Sequence, residues 1–231
     1  MPYFFIDYWY IVLVLPVMIA SLIIQGVMKS TYKKYAQVYV GTGITGAEMA
    51  RRVLNENGVF DVSISVVDGE LSDHYDPRSR VVKLSREVHD GRSVSALGVA
   101  CHEAGHALQH SEKYFPLMAR NTFVPVVNVC SGISWFVLLL GLFMGSELMI
   151  NLGIILFSTA AIFQFITLPV EFNASRRAIR ALRDSNHLSD EEIQGTKKVL
   201  TAAAMTYVAA LAASLASLLR LILITRGNRR R

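Results

Sequence analysis

At 231 residues the chain is long enough for one or two ordinary domains, yet 52% of it is hydrophobic and only 18% is charged. A soluble globular domain carries about a quarter charged residues, so the balance excludes disorder and a linker-like chain and indicates an integral membrane protein. Two cysteines exclude a disulfide framework and a tetrathiolate metal site; the net charge of +5 suits a membrane surface better than nucleic acid, which has only Arg229-Arg230-Arg231 behind it.

Counting between charges places the membrane. Twenty-one uncharged residues separate Asp7 from Lys29, 26 separate Arg120 from Glu147, 23 separate Glu147 from Glu171, and 21 separate Lys198 from Arg220. Each run meets the about 20 helical residues that a ~30 Å hydrocarbon core requires. The first is an uncleaved anchor rather than a signal peptide: it is too long, has no basic n-region and lacks a clean A-x-A site. Asp7 and Gln25 mark its edges. The second and third share a short connection at Gly145-Ser146-Glu147 and form a helical hairpin. The fourth, rich in Ala and Ser, either spans the membrane or packs as an associated helix, with Arg220 snorkelling. Eleven Lys and Arg flank the faces bearing 29–120 and 171–197, against four in the tail (Arg226, Arg229, Arg230, Arg231) on the other face. The large polar loop is therefore expected in the cytoplasm.

Residues 29–119 are the stretch able to build a water-facing domain. Thr45-Gly-Ala-Glu48 has capping-box spacing and opens a helix through Met49, Ala50, Val53 and Leu54 that stops near Gly58. Phe60, Val62, Ile64 and Val66 alternate with polar residues as a half-buried strand. Asp76-Pro77-Arg78 is a turn and Arg80 to Leu84 a second strand, placed to pair with an extended substrate. Ser93 caps a helix from about Val94 to His110. The pattern Gly41-x-Gly43-x-x-Gly46 follows only the short segment Tyr35 to Val40, and no βαβ unit follows it. It is a loop rather than a dinucleotide site.

The helix from Ser93 carries His102-Glu103-Ala104-Gly105-His106. Imidazoles four residues apart lie one turn apart on one helix face, where both reach a single Zn²⁺. Glu103 beside them is placed to deprotonate a metal-bound water. Catalytic zinc takes three protein ligands, and the third is open on spacing alone. His110 lies ~12 Å along the axis from His102, and Gln109 stands where a bend-forming glycine would be needed. Glu171, at the end of the third apolar run, is a third ligand, a solvated boundary carboxylate, or a partner of Arg176 or Arg177. His74 and Tyr75 are turn residues or carbonyl-polarising groups. Cys101 points about 100° away from His102, as a buried thiol.

His102-Glu103-x-x-His106, a transmembrane hairpin, then Glu171-x-x-Ala174 together resemble the gluzincin-type membrane peptidases, which often carry E-x-x-A-D where this chain has Ser175. More closely, the chain resembles the YugP-like neutral zinc metallopeptidases of bacterial membranes. Thr45-Gly-Ala-Glu-Met-Ala, Leu71-Ser-Asp-His-Tyr-Asp-Pro77, Val82-Lys-Leu-Ser85, Ala100 to Gln109 and Glu171 to Ala178 carry that likeness across nearly the whole chain.

The resemblance implies Zn²⁺ held by His102, His106 and Glu171, with Glu103 as catalytic base. It implies a zinc-dependent metallopeptidase in a bacterial plasma membrane acting on peptides or membrane proteins. The expected fold is α+β, with multi-pass transmembrane helices and a small zincin-like metalloprotease domain. The expected organisation is a transmembrane anchor at 1–28, a catalytic domain at 29–119, a transmembrane hairpin at 120–170, a third-ligand helix and polar segment at 171–197 and a transmembrane or membrane-associated helix with a basic tail at 198–231. A non-hydrolytic zinc-binding scaffold or chaperone is the alternative; an intact Glu103 argues against it. A metal transporter would hold its ligands at the bilayer midplane rather than in the polar stretch.

Overall fold

The computed structural model describes residues 7–228. A π-helical turn, Tyr10–Val14, leads into α1 (Leu15–Ala36). There follow α2 (Gly46–Glu56), β1 (Ser63–Val67), β2 (His74–Asp76), β3 (Val81–Ser85), α3 (Arg86–His89) and α4 (Val94–Ser111). Three long helices complete the chain: α5 (Phe115–Met144), α6 (Glu147–Asp184) and α7 (Asp190–Asn228). The fold is α+β, mostly helical with one three-stranded sheet. Four helical stretches are long and apolar enough to cross a membrane: Tyr10–Ala36, Phe115–Met144, Glu147–Asp184 and Asp190–Thr225. The described residues fall into two compact units.

The first unit takes residues 7–25, 119–168 and 206–228. Its helices turn large apolar side chains outward, with Phe136 73% and Phe143 83% exposed. In water such a surface would be an aggregation hazard; against lipid it is the expected exterior. Helices α5 and α6 meet at a tight turn where Gly145 takes the left-handed conformation, φ +63°, which costs glycine nothing. Their walls then pack closely: a Cβ at Gly141 would lie 2.8 Å from the Ile150 nitrogen, and one at Gly153 would lie 2.5 Å from Leu138 Cγ. Arg220 does not extend toward water as a snorkelling residue would. Its Nε and Nη2 donate to Asp7 Oδ2 at 2.8 and 2.6 Å, and its guanidinium lies 5.3 Å from the centroid of the Tyr10 ring. Both charges are largely buried, and pairing spares each the cost of burial alone. Residues 229–231 of the basic tail lie outside the described residues.

The second unit takes Gly26–Met118 and Pro169–Met205. Helix α2 opens on the capping box, with Thr45 Oγ1 accepting from the Glu48 N–H at 3.2 Å and Glu48 Oε2 accepting from the Thr45 N–H at 2.8 Å. Ser93 Oγ caps α4 by accepting from the Ala96 N–H at 3.2 Å. One core joins Met49 and Leu54 of α2, Val82 and Leu84 of β3, Leu97, Ala104 and Leu108 of α4, Leu182 of α6 and Leu200 of α7. A cap on each helix and a shared apolar face fix α4 firmly in this unit.

The sheet departs from the sequence reading in three ways. β1 begins at Ser63, and Phe60, expected to point inward, is 74% exposed. As an outer strand β1 has partly solvated faces, so of the four alternating residues only Val62 is fully buried. β2 has no strand pattern in the sequence, because its three residues lead straight into the Asp76 turn. That turn is present: Asp76 Oδ1 accepts from the Arg78 N–H and Oδ2 from the Ser79 hydroxyl, at 2.9 and 2.6 Å. Finally, β3 is the central strand, parallel to β1 and antiparallel to β2. Both its edges are filled, so it has no backbone groups to offer a substrate, and the outer edge on the α4 side belongs to β2.

Candidate metal centre

Helix α4 brings His102, Gly105, His106 and Gln109 to one face, at spacings of three and four residues. That face meets α6. A Cβ at Gly105 would fall 2.8 Å from the Ala174 carbonyl oxygen, so the glycine of the motif is where the two backbones touch. Glu171 lies one turn before Ala174 and is thereby carried to the histidines. Its Oε2 sits 3.3 Å from His102 Nε2 and 3.6 Å from His106 Nε2. Glu171, at 3% exposure, and His106 are buried and His102 is half-buried.

Hydrogen bonding behind the histidines decides which nitrogen faces inward. Glu112 receives both Nη groups of Arg177 at 2.7 Å, and Arg177 Nε donates to Asn173 Oδ1 at 2.8 Å. The same Asn173 oxygen accepts from Gln109 Nε2 at 2.9 Å, and that amide nitrogen also donates to the Val170 carbonyl at 2.8 Å. With both amide hydrogens spent, Gln109 turns its oxygen to His106 Nδ1, 3.0 Å away. His106 must therefore donate from Nδ1, and in the neutral ring Nε2 is left as a bare lone pair. Behind His102, Nδ1 lies 3.2 Å from Ser175 Oγ, a hydroxyl that can donate or accept, so this contact positions the ring without fixing its tautomer. The serine found in place of the resembled aspartate thus keeps a contact behind the histidine, through a hydroxyl rather than a carboxylate.

The Nε2 atoms of both imidazoles and the Glu171 carboxylate converge, an arrangement that a cation between them stabilises. The donor atoms of His102, His106 and Glu171 all lie within 4.8 Å of one another. Tetrahedral donors on ~2.0–2.1 Å bonds sit roughly 3.3–3.5 Å apart, close to the two distances to Glu171. Two nitrogens and one oxygen without sulfur suit Zn²⁺, so the residues present fit that ion.

Glu103 lies beside this group and is buried. Burial pushes its carboxyl up to about 7, with the neighbouring His102 pulling the other way. The remaining candidates from the sequence lie apart from the centre. His110 Nδ1 pairs with the Tyr75 hydroxyl at 2.8 Å, whose proton burial holds by pushing its pKa up to about 12. His74 is exposed and bonds the Ser72 carbonyl at 2.7 Å. Cys101 is fully buried in the core, where desolvation raises its thiol pKa. Arg177, considered as a partner for Glu171, is committed to Glu112 and Asn173 instead.

Sequence reasoning missed Gln109 and Asn173 as supports. Their signal was present in spacing: Gln109 stands three residues after His106 and Asn173 two after Glu171.

Fold and site together define an integral membrane protein with two histidines and a glutamate grouped so that they could hold a metal ion. The family model described as "Putative neutral zinc metallopeptidase" matches residues 10–226, and the chain belongs to that family. It is 52% identical over 202 residues to the "Putative membrane protease YugP" of Bacillus subtilis (strain 168), covering 87% of this chain and 90% of that protein. No solved structure matches. Zinc is the metal of this family, and the donor set suits it.

Proposed function

We propose that the protein is a membrane-embedded zinc metalloendopeptidase of HExxH type. His102, His106 and Glu171 would hold Zn²⁺, Glu103 would be the general base, and the site would face the cytoplasm. The observation that carries this reading is the orientation of His106, whose Nε2 lone pair faces Glu171 because Gln109 has no hydrogen left to offer Nδ1. Zinc bound there supplies Lewis acidity, polarising a scissile carbonyl and acidifying water.

The chain's own residues do the rest. Glu103 takes a proton from the attacking water and returns it to the leaving amine. The outer edge of β2 provides a place for an extended peptide to lie by backbone pairing, which gives affinity with little side-chain selectivity.

Gln109→Leu removes the acceptor behind His106 and frees the ring to turn. Loss of such an outer contact costs about 10–100-fold in metal affinity. Competition against a zinc chelator reads this directly, and unchanged affinity would remove Gln109 from the support of the site.

The activity is tested in sealed vesicles carrying the full chain, supplied with a mixed peptide library from outside. Inside-out vesicles are expected to cleave the library, a zinc chelator to stop them, and zinc to restore them; right-side-out vesicles should leave it intact. Cleavage by neither orientation once zinc is supplied would refute the peptidase reading. Cleavage by right-side-out vesicles alone would keep the peptidase and reverse its sidedness.

A further inference from the structure

Where α1 and α7 run side by side in the second unit, a cavity of about 490 Å³ is lined by none of the metal-centre residues. Lys34 of α1 with Lys197 and Lys198 of α7 line one part of it, and Val27, Thr201 and Ala202 line another. These two linings fall on opposite sides of the boundary marked by charge along each helix. Val27 precedes Lys29, the first charge after the apolar run of α1, and Thr201 and Ala202 follow Lys198, the last charge before that of α7. Seven residues separate Val27 from Lys34, roughly 10 Å along a helix. The cavity therefore passes from hydrocarbon depth to headgroup depth.

No acidic residue lines it, although Lys198 also borders a second cavity with Asp190, Glu191 and Glu192, and Lys34 lies over the Tyr35 ring. All three lysines are exposed, and none pairs with a carboxylate among the described residues. The neighbouring cavity of about 560 Å³ that holds Arg176, Arg177 and Arg180 differs, because Glu56, Glu112 and Asp184 line it as well. The two helices that form the lysine cavity are in contact. A Cβ at Gly195 of α7 would lie 2.7 Å from Tyr35 Cε1 of α1, so the helices already touch beside it.

A ligand for this cavity needs an anionic head for three lysines and an apolar tail for the Val27 and Ala202 wall. We infer that it binds an anionic phospholipid, with the headgroup phosphate on Lys34, Lys197 and Lys198. Basic pockets between membrane helices take anionic headgroups in this way. Soluble phosphate would satisfy the lysines but leave the apolar wall uncovered. This inference is independent of the zinc site.

The test uses the full chain in nanodiscs of equal parts phosphatidylglycerol and phosphatidylcholine, with retained lipid counted by native mass spectrometry. Wild type should retain one phosphatidylglycerol per chain. Lys34→Gln/Lys197→Gln/Lys198→Gln should lower the preference for phosphatidylglycerol about a hundredfold, on the basis of about fivefold for each lysine. Lys198→Gln alone should lower it about fivefold, which keeps the test decisive if the triple variant folds poorly. Lys29→Gln/Lys33→Gln, which removes two charges near the same helix end but outside the cavity, should leave it unchanged, as should millimolar inorganic phosphate. Preference retained in the triple and single variants, equal loss in the Lys29/Lys33 variant, displacement by inorganic phosphate, or a peptide retained in place of lipid would each overturn the assignment.

Discussion

Glu103→Gln should leave zinc bound and lower peptide hydrolysis by about 10²–10⁴-fold, the usual contribution of a positioned acid–base group. The substitution is nearly isosteric, so the buried packing around residue 103 is kept. Folding and metal affinity should therefore hold while proton transfer is lost, since an amide cannot accept the proton from water. The same variant separates a peptidase from a zinc-binding scaffold, in which residue 103 would have no chemical task. Zinc content and turnover are measured on one preparation. Undiminished turnover would refute the role of Glu103, and loss of metal from a folded variant would make it a ligand instead.

Glu171→Ala should reduce zinc affinity and activity together, and by more than the about 10–100-fold that an outer contact is worth. Glu171 is buried between the two imidazoles, and removing it leaves the ion two protein donors and one charge fewer. The histidines should keep their orientation, because Gln109 and Ser175 act on their far nitrogens. Any loss of affinity then belongs to the missing carboxylate rather than to a collapsed site. Glu147→Ala, which removes the acidic residue at the start of α6, should spare both readouts. An unaffected Glu171→Ala protein would contradict the third-ligand assignment and return Glu171 to the boundary carboxylate that spacing alone also allowed.

Features that depend on local chemistry were legible before any coordinates. The capping box at Thr45, the cap at Ser93 and the four apolar runs each arise from neighbouring residues or simple length, and each is present in the structure. The pairing of two histidines on one face of α4 follows equally from helix geometry. Features that depend on which surfaces meet were not legible. β2 is three residues long and lies among turn-forming residues, and only its pairing with β3 makes it a strand. The central place of β3 is a fact of sheet order, which no local pattern carries. Arg220 looked like a residue reaching for water because Asp7, its partner, lies at the other end of the chain. The path from Glu112 through Arg177, Asn173 and Gln109 to His106 crosses between two helices separated by a long hairpin, so its members looked like scattered polar residues. Gly105 belongs to the same class: its identity is plain in the motif, but its reason is the Ala174 carbonyl 2.8 Å from where a Cβ would stand.

The most direct measurement is the zinc content of the purified full chain and of His102→Ala and His106→Ala, determined by mass spectrometry of the metal after equilibration with limiting zinc. One zinc per chain in the wild type and a large loss in both variants is the result expected if these histidines hold the ion with Glu171. Stoichiometric zinc in both variants would place the metal elsewhere and contradict the account at its centre.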